Sequence, residues 1–207
     1  MARARTPQYD LNREGIVRSA AALFARSGYP GTSMNDLARE VGVSKPLLYH
    51  YVSDKYQLLL EITEGHVSRL EAIVGEVEAM RLAPTERLRA LIGRFVEEYA
   101  SARHDHGVLT QDVKFLVPAD RERVLRKERA VVAAFARTIG EAHPSLAAAA
   151  LEKPLTMLLF GMLNWMFTWL RPDGRLQPAQ MAPIVAELFI GGLERVRPPC
   201  DGPAPSW

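Results

Sequence analysis

Lys45, Tyr49, His50 and Tyr51 lie within one short stretch, and each carries a donor suited to phosphate oxygens or base edges. Pro46 and Leu47 between them offer the apolar surface that meets a thymine methyl group. Lys55 follows at the predicted start of a helix, a place from which a lysine can hold a phosphate that the helix dipole also favours. Thr32, Ser33 and Ser44 add hydroxyls at the predicted ends of neighbouring helices. The chemistry these residues share is nucleic-acid recognition, and it requires elements that hold them on one surface.

Those elements are legible from Thr32 to Lys55. Ser33 with Asp36 forms a capping box, and Leu37, Ala38 and Val41 then fall on one helical face. Gly42 is the residue able to turn left-handed and end that helix. Ser44 caps a second helix to about His50, with Pro46 in its first turn, where a missing N–H costs little. Asp54 opens a third, with Gln57 in the reciprocal position of another capping box. Small Ala38 allows a close crossing, and Val43 and Leu48 set its angle. Such an angle lets the second helix enter a major groove while the first lies across the backbone.

The whole run resembles the N-terminal DNA-binding domain of the TetR/AcrR family of transcriptional regulators over about residues 10–60. The matching residues are Gly28 and Thr32, then Leu37-Ala38, Gly42-Val43-Ser44, Leu48-Tyr49, Tyr51 and Asp54-Lys55. The family often has Gly where this chain has Pro46, and Phe or His-Phe at His50-Tyr51.

Composition fits this reading. Residues 1–60 carry 8 Lys/Arg against 5 Asp/Glu, a net +3, and the remainder 18 against 19, a net −1. A mildly basic head on a near-neutral body suits a nucleic-acid partner for the head alone. The 207 residues suffice for a real core. Cys200 is the lone cysteine, so no intramolecular disulfide or cysteine metal site is expected. The longest uncharged stretch, Pro154 to Leu170, is 17 residues, short of the roughly 20 that span a bilayer. With no signal peptide after the basic start, a cytoplasmic protein is expected.

Strand signals are nearly absent, and the pattern predicts an all-α fold of nine or ten helices. A short arm with Arg3 and Arg5 precedes a helix from about Asp10 to Ser27. A long helix starts near Asp54, and Ala83-Pro84 breaks it. Another follows with Leu88, Leu91, Ile92, Phe95 and Tyr99 inside. His104–Gly107 reads as a solvated turn, since His104-x-His106 lacks a third metal ligand, and a short helix is expected over Leu109–Leu116. A helix from Pro118 stops near His143-Pro144, and two last helices cover Leu151–Leu170 and about Pro178–Val196. The expected domains are a three-helix DNA-binding head (1–55), a larger helical effector-binding and dimerisation body (56–197) and a Pro-rich tail (198–207).

The first of the last two helices is apolar almost all round, and Gly161 and Gly191-Gly192 permit close approach. A homodimer through these helices, reading a palindromic operator of double-stranded DNA, is therefore expected. The family resemblance implies the same. Candidate effector-lining residues are Phe95, Tyr99, Phe115, Met157, Phe160, Asn164, Trp165 and Trp169, because aromatic and methionine side chains suit adaptable apolar pockets. Leu158–Gly174 also resembles the C-terminal domains of TetR-family regulators of fatty-acid, aromatic-acid or steroid degradation. That resemblance implies an acyl-CoA or aryl-CoA effector, phenylacetyl-CoA among them, with Lys114, Arg121 or Arg171 for the CoA phosphates. The function expected is a repressor released from its operator by a small apolar effector. The alternative is an activator, or an interaction module whose body holds another protein. An enzyme is not expected: the chain has no Gly-rich phosphate loop, Cys–His pair or metal-ligand cluster, and no cofactor is implied.

Overall fold

The computed structural model describes residues 7–170 and 174–197; side chains are described from residue 12 on, except that of residue 167. Arg3, Arg5, Arg171, Cys200 and the Pro-rich tail lie outside the described residues, as does the side chain of Phe167. Ten α-helices are present among the described residues: α1 (Pro7–Ser27), α2 (Met34–Val41), α3 (Lys45–Tyr51), α4 (Lys55–Ala79), α5 (Pro84–Ser101), α6 (Arg103–Asp112), α7 (Pro118–Ala142), α8 (Pro144–Ala148), α9 (Glu152–Trp169) and α10 (Pro178–Leu193). A 3-10 turn, Val113–Phe115, follows α6. No described helix is long and apolar enough to cross a membrane.

The chain packs as two units that are discontinuous in sequence. One gathers the chain up to Ser68 with Ala102–Leu125, the other Arg69–Ser101 with the chain from Arg126 on. A single cut near residue 55 does not describe this division, because α4 and α7 each contribute residues to both units.

The first unit is built on local signals. The Asp36 N–H donates to Ser33 Oγ (3.2 Å), and Asp36 Oδ2 accepts from the Ser33 N–H (3.0 Å), so the capping box of α2 closes in both directions. Gly42 takes φ 74°, and the N–H groups of Gly42 and Val43 bond back to the carbonyls of Arg39 and Ala38. Ser44 caps α3 by accepting from the Leu47 N–H. Asp54 Oδ1 accepts the Gln57 N–H (2.8 Å), while Gln57 Oε1 reaches Ser53 and leaves Asp54, so the predicted reciprocal box at α4 is offset by one residue. Ile16, Ala20, Phe24, Leu37, Leu48, Val52, Leu58, Leu59 and Ile62 form one buried cluster.

That cluster continues into Val108, Leu109, Leu116 and Val124. The expected turn at His104–Gly107 is instead part of α6, and the expected helix over Leu109–Leu116 ends at Asp112 before the 3-10 turn. Gly costs about 1 kcal/mol in a helix interior. Burial of His106, Val108 and Leu109 inside the first unit outweighs that local preference. His106 does not face solvent with His104; it meets His66 of α4, ring nitrogen to ring nitrogen at 3.1 Å, and both rings are buried.

In the second unit the rings of Phe95 (α5), Phe135 (α7) and Phe160 (α9) meet edge to face, with centroids 4.9–6.1 Å apart. Arg87, near the start of α5, pairs with Glu141, near the end of α7, and Phe95 further along α5 meets Phe135 earlier in α7, so these helices run antiparallel. Val185, Phe189 and Ile190 of α10 join the same core. Short α8, not expected from sequence, buries Leu146.

Candidate nucleic-acid interface

Helix α3 has one anchored side and one presented side. Leu48 is fully buried and Val52, just past its end, nearly so. Lys45, Pro46, Leu47, Tyr49 and His50 are exposed, Leu47 and Tyr49 by 44% and 46%. Lys45 and Tyr49, and Pro46 and His50, are four apart and so stack into rows on one surface. Tyr51 is half-buried; its Oη accepts from Asn12 Nδ2 of α1 (3.1 Å), and its ring meets His50 edge on. The arrangement brings a cation, a phenol, an imidazole and an apolar pair onto one exposed helix face. This is the donor and methyl-contact repertoire that reads a major groove.

Four other predicted contact residues sit differently. Ser33 and Ser44 are exposed, and their hydroxyls accept the cap bonds of α2 and α3. Thr32 is 3% exposed, and its hydroxyl donates to the Gly28 carbonyl (3.0 Å), so it shapes the loop and does not face outward. Lys55 is turned inward as well. Its Nζ donates to the carbonyls of Tyr29 (3.1 Å) and Thr32 (2.9 Å) and lies 4.5 Å from the centre of the Tyr29 ring. Two carbonyls and a ring face saturate the ammonium better than a surface position would, and they staple the loop that leads into α2. Hydrogen bonding to Ser33 holds the Asp36 carboxyl below its ordinary range, which keeps the cap ionised.

The predicted effector residues do not form one set. Phe95, Tyr99 and Phe160 are buried in the second unit's core, and burial pushes the Tyr99 hydroxyl pKa up. Asn164 follows one turn after Phe160, and its Oδ1 is buried without a hydrogen-bond partner among the described residues. Met157, Trp165 and Trp169 are 54%, 67% and 48% exposed, on the side of α9 away from that core. Phe115 belongs to the first unit, where its ring packs on Tyr29 at 5.7 Å. Lys114 and Arg121 are also in the first unit, both exposed. Sequence reasoning missed Asn12, Tyr29, Tyr56, Asp112 and Asp120, whose roles arise from partners between 39 and 83 residues away. No local spacing marks them.

Comparison with known proteins agrees with this geometry. Residues 16–62 match the family model described as bacterial regulatory proteins, tetR family, and residues 81–193 match that of the tetracyclin repressor-like C-terminal domain. A TetR-family transcriptional regulator from Bordetella parapertussis 12822 is 33% identical, with 89% of this chain and 97% of that one covered at a TM-score of 0.82. The HTH-type transcriptional repressor KstR2 of Mycobacterium tuberculosis (strain CDC 1551 / Oshkosh) is 25% identical over 199 residues, 91% of this chain and 96% of its own. AibR, in complex with isovaleryl coenzyme A and operator DNA, shares the fold at a TM-score of 0.73 and 24% identity, covering 86% and 97% of the two chains. A helix–turn–helix with an outward-facing second helix, a helical body and matches across both mean that this chain belongs to the TetR family of bacterial transcriptional regulators.

Proposed function

We propose that the protein is a homodimeric repressor that blocks a palindromic operator and is released by a small apolar effector bound in its second unit. The observation that carries the reading is the exposed row Lys45, Pro46, Leu47, Tyr49 and His50 on a helix whose other side is fully buried. A single such helix covers little DNA, so two copies about one DNA turn apart are required for a specific site.

The second copy has a surface to meet. Met157, Leu158, Gly161, Trp165 and Trp169 make an exposed apolar stripe at three- and four-residue steps along α9. Ile184, Leu188 and Gly191 make another along α10. Exposed apolar residues in rows, with glycines among them, favour helix-to-helix association of two copies. Met157, Trp165 and Trp169 are thus assigned to the dimer face and removed from the effector set.

The effector reading rests on Phe95, Phe135 and Phe160 with Tyr99 and Asn164. A buried amide oxygen without a partner carries a desolvation cost that a ligand's N–H or O–H donor would remove. KstR2 as a repressor, and AibR bound to isovaleryl coenzyme A and operator DNA, support a repressor that answers to an acyl-CoA thioester. Release then follows if the thioester binds better to a conformation with a different head separation, and α4, which carries the chain from one unit to the other, is the route for that change.

The test is fluorescence anisotropy on DNA upstream of the protein's own gene, across a salt series, with and without acyl- and aryl-CoA thioesters. Salt-sensitive binding that one thioester abolishes is the expected result. Binding that persists against every thioester at saturating concentration overturns the effector class and leaves the DNA-binding reading standing.

A further inference from the structure

Two carboxylates eight residues apart hold the segments on either side of the helix–turn–helix. Asp112, at the end of α6, is 5% exposed, and its Oδ2 accepts the Tyr29 N–H at 3.2 Å. Tyr29 lies in the loop between α1 and α2, where Lys55 holds its carbonyl from the other side. The Tyr29 ring packs edge to face on Phe24 (5.4 Å) and against Phe115 of the 3-10 turn (5.7 Å). Asp120, in the first turn of α7, accepts from Tyr56 Oη at 2.6 Å, and the same hydroxyl accepts the Val117 N–H at 3.1 Å. Tyr56 is the second residue of α4, five positions after the end of α3. Arg123 extends the connection by pairing with Asp120 (2.9 Å) and with Glu64 of α4 (2.7 Å).

All of these residues lie within one packing unit, so the connection is internal to it. Residues 112–120 therefore touch the chain four residues before the cap of α2 and again just after α3. Helix α3 has only seven residues and cannot be stable alone, so its orientation depends on Leu48 in the core and on what anchors its flanks. A buried carboxylate is costly unless bonded, so the Tyr29 N–H satisfies Asp112 and at the same time fixes the loop against it. Burial does raise the Asp112 carboxyl pKa, which agrees with a bond kept at some cost.

We propose that Asp112 and Asp120 are positioning residues for DNA recognition, acting through Tyr29 and Tyr56 to set the angle at which α3 meets base edges. Base readout tolerates shifts of only about 0.5 Å or 10–20°, whereas phosphate contacts made by flexible cations tolerate more. Loss of either bond is therefore read as lost discrimination between sequences. The inference rests on α3 being the DNA-reading helix.

The test uses a duplex selected by the wild-type protein from a random-sequence pool, and a scrambled duplex of equal length and composition. Anisotropy at one salt concentration gives the ratio of the two affinities for wild type, Asp112→Ala, Asp112→Asn and Tyr56→Phe. Asp112→Ala and Tyr56→Phe are expected to lower that ratio by about fivefold or more, the equivalent of roughly one lost hydrogen bond, with scrambled-duplex affinity unchanged. Asp112→Asn, whose amide oxygen still accepts the Tyr29 N–H, is expected to restore the ratio. Should Asp112→Ala fail to fold, Tyr56→Phe removes a single oxygen and decides alone. Ratios equal to wild type overturn the inference, as does an equal loss on both duplexes. A wild type that selects no duplex overturns the DNA-reading role of α3 and this inference with it; one that does select, with variants that keep its ratio, overturns the inference alone.

Discussion

At the residue scale the exposed and the inward-facing donors of the head separate by what they already bond. Tyr49 stands 46% exposed beside Lys45, so Tyr49→Ala is expected to weaken binding to a selected operator by about 1–3 kcal/mol while circular dichroism and melting stay unchanged. Lys55→Ala is expected to act on stability, because it strands the Tyr29 and Thr32 carbonyls and empties the space over the Tyr29 ring. The expected loss is about 1–3 kcal/mol in denaturant unfolding, and an unchanged midpoint would return Lys55 to the phosphate-contact set. Glu128 of α7 behaves in the opposite way. Burial raises its carboxyl pKa, so the folded state holds that proton more tightly than the unfolded chain does. Below the unfolded value both states are protonated and no penalty exists; as pH rises through the folded value the penalty develops, and stability falls. Glu128→Gln is expected to melt higher than wild type at about pH 7.5, with the difference closing toward about pH 4.

At the element scale, short helices depend on their ends. Gly42 takes φ 74° with nothing within 4 Å of where a methyl group would sit, so space is free and only the backbone objects to a side chain. Gly42→Ala is expected to cost about 1–2 kcal/mol in unfolding free energy, and an unchanged midpoint would mean that the turn relaxes out of the left-handed region. Helices α9 and α10 raise a different matter, because each buries one face and exposes another. Leu158 and Leu188 are 64% and 65% exposed on the outer faces. Leu158→Glu with Leu188→Glu is expected to halve the mass seen by light scattering without loss of helix content. A double variant that keeps the wild-type mass would remove these faces as the dimer interface.

At the scale of the whole molecule, the two units have different kinds of legibility. The all-α class and most helix boundaries were readable because each rests on local chemistry: Ser33 with Asp36, Gly42, Ser44, the Pro residues at 84, 118 and 178, and apolar spacing between them. Which side chains of α3 share its exposed face was readable for the same reason, since one turn of helix decides which residues lie together. Helix α6 was misread at Gly107 because its stability comes from burial against a cluster assembled from residues far away in the chain. Lys55 and Thr32 were misplaced because the loop they hold, Tyr29–Thr32, folds back onto the start of α4.

The sequence by itself determined the local structure: the caps, the turn, the periodicities and the set of donors on the second helix of the motif. Those depend on interactions a few residues long, which spacing encodes directly. The tertiary structure alone decided which aromatic residues are core and which are outer surface, that residues 112–120 bind both flanks of the motif, and that the packing units interleave along the chain. Those outcomes hang on partners dozens of residues apart, and an apolar stripe reads the same whether it meets its own chain or a second copy.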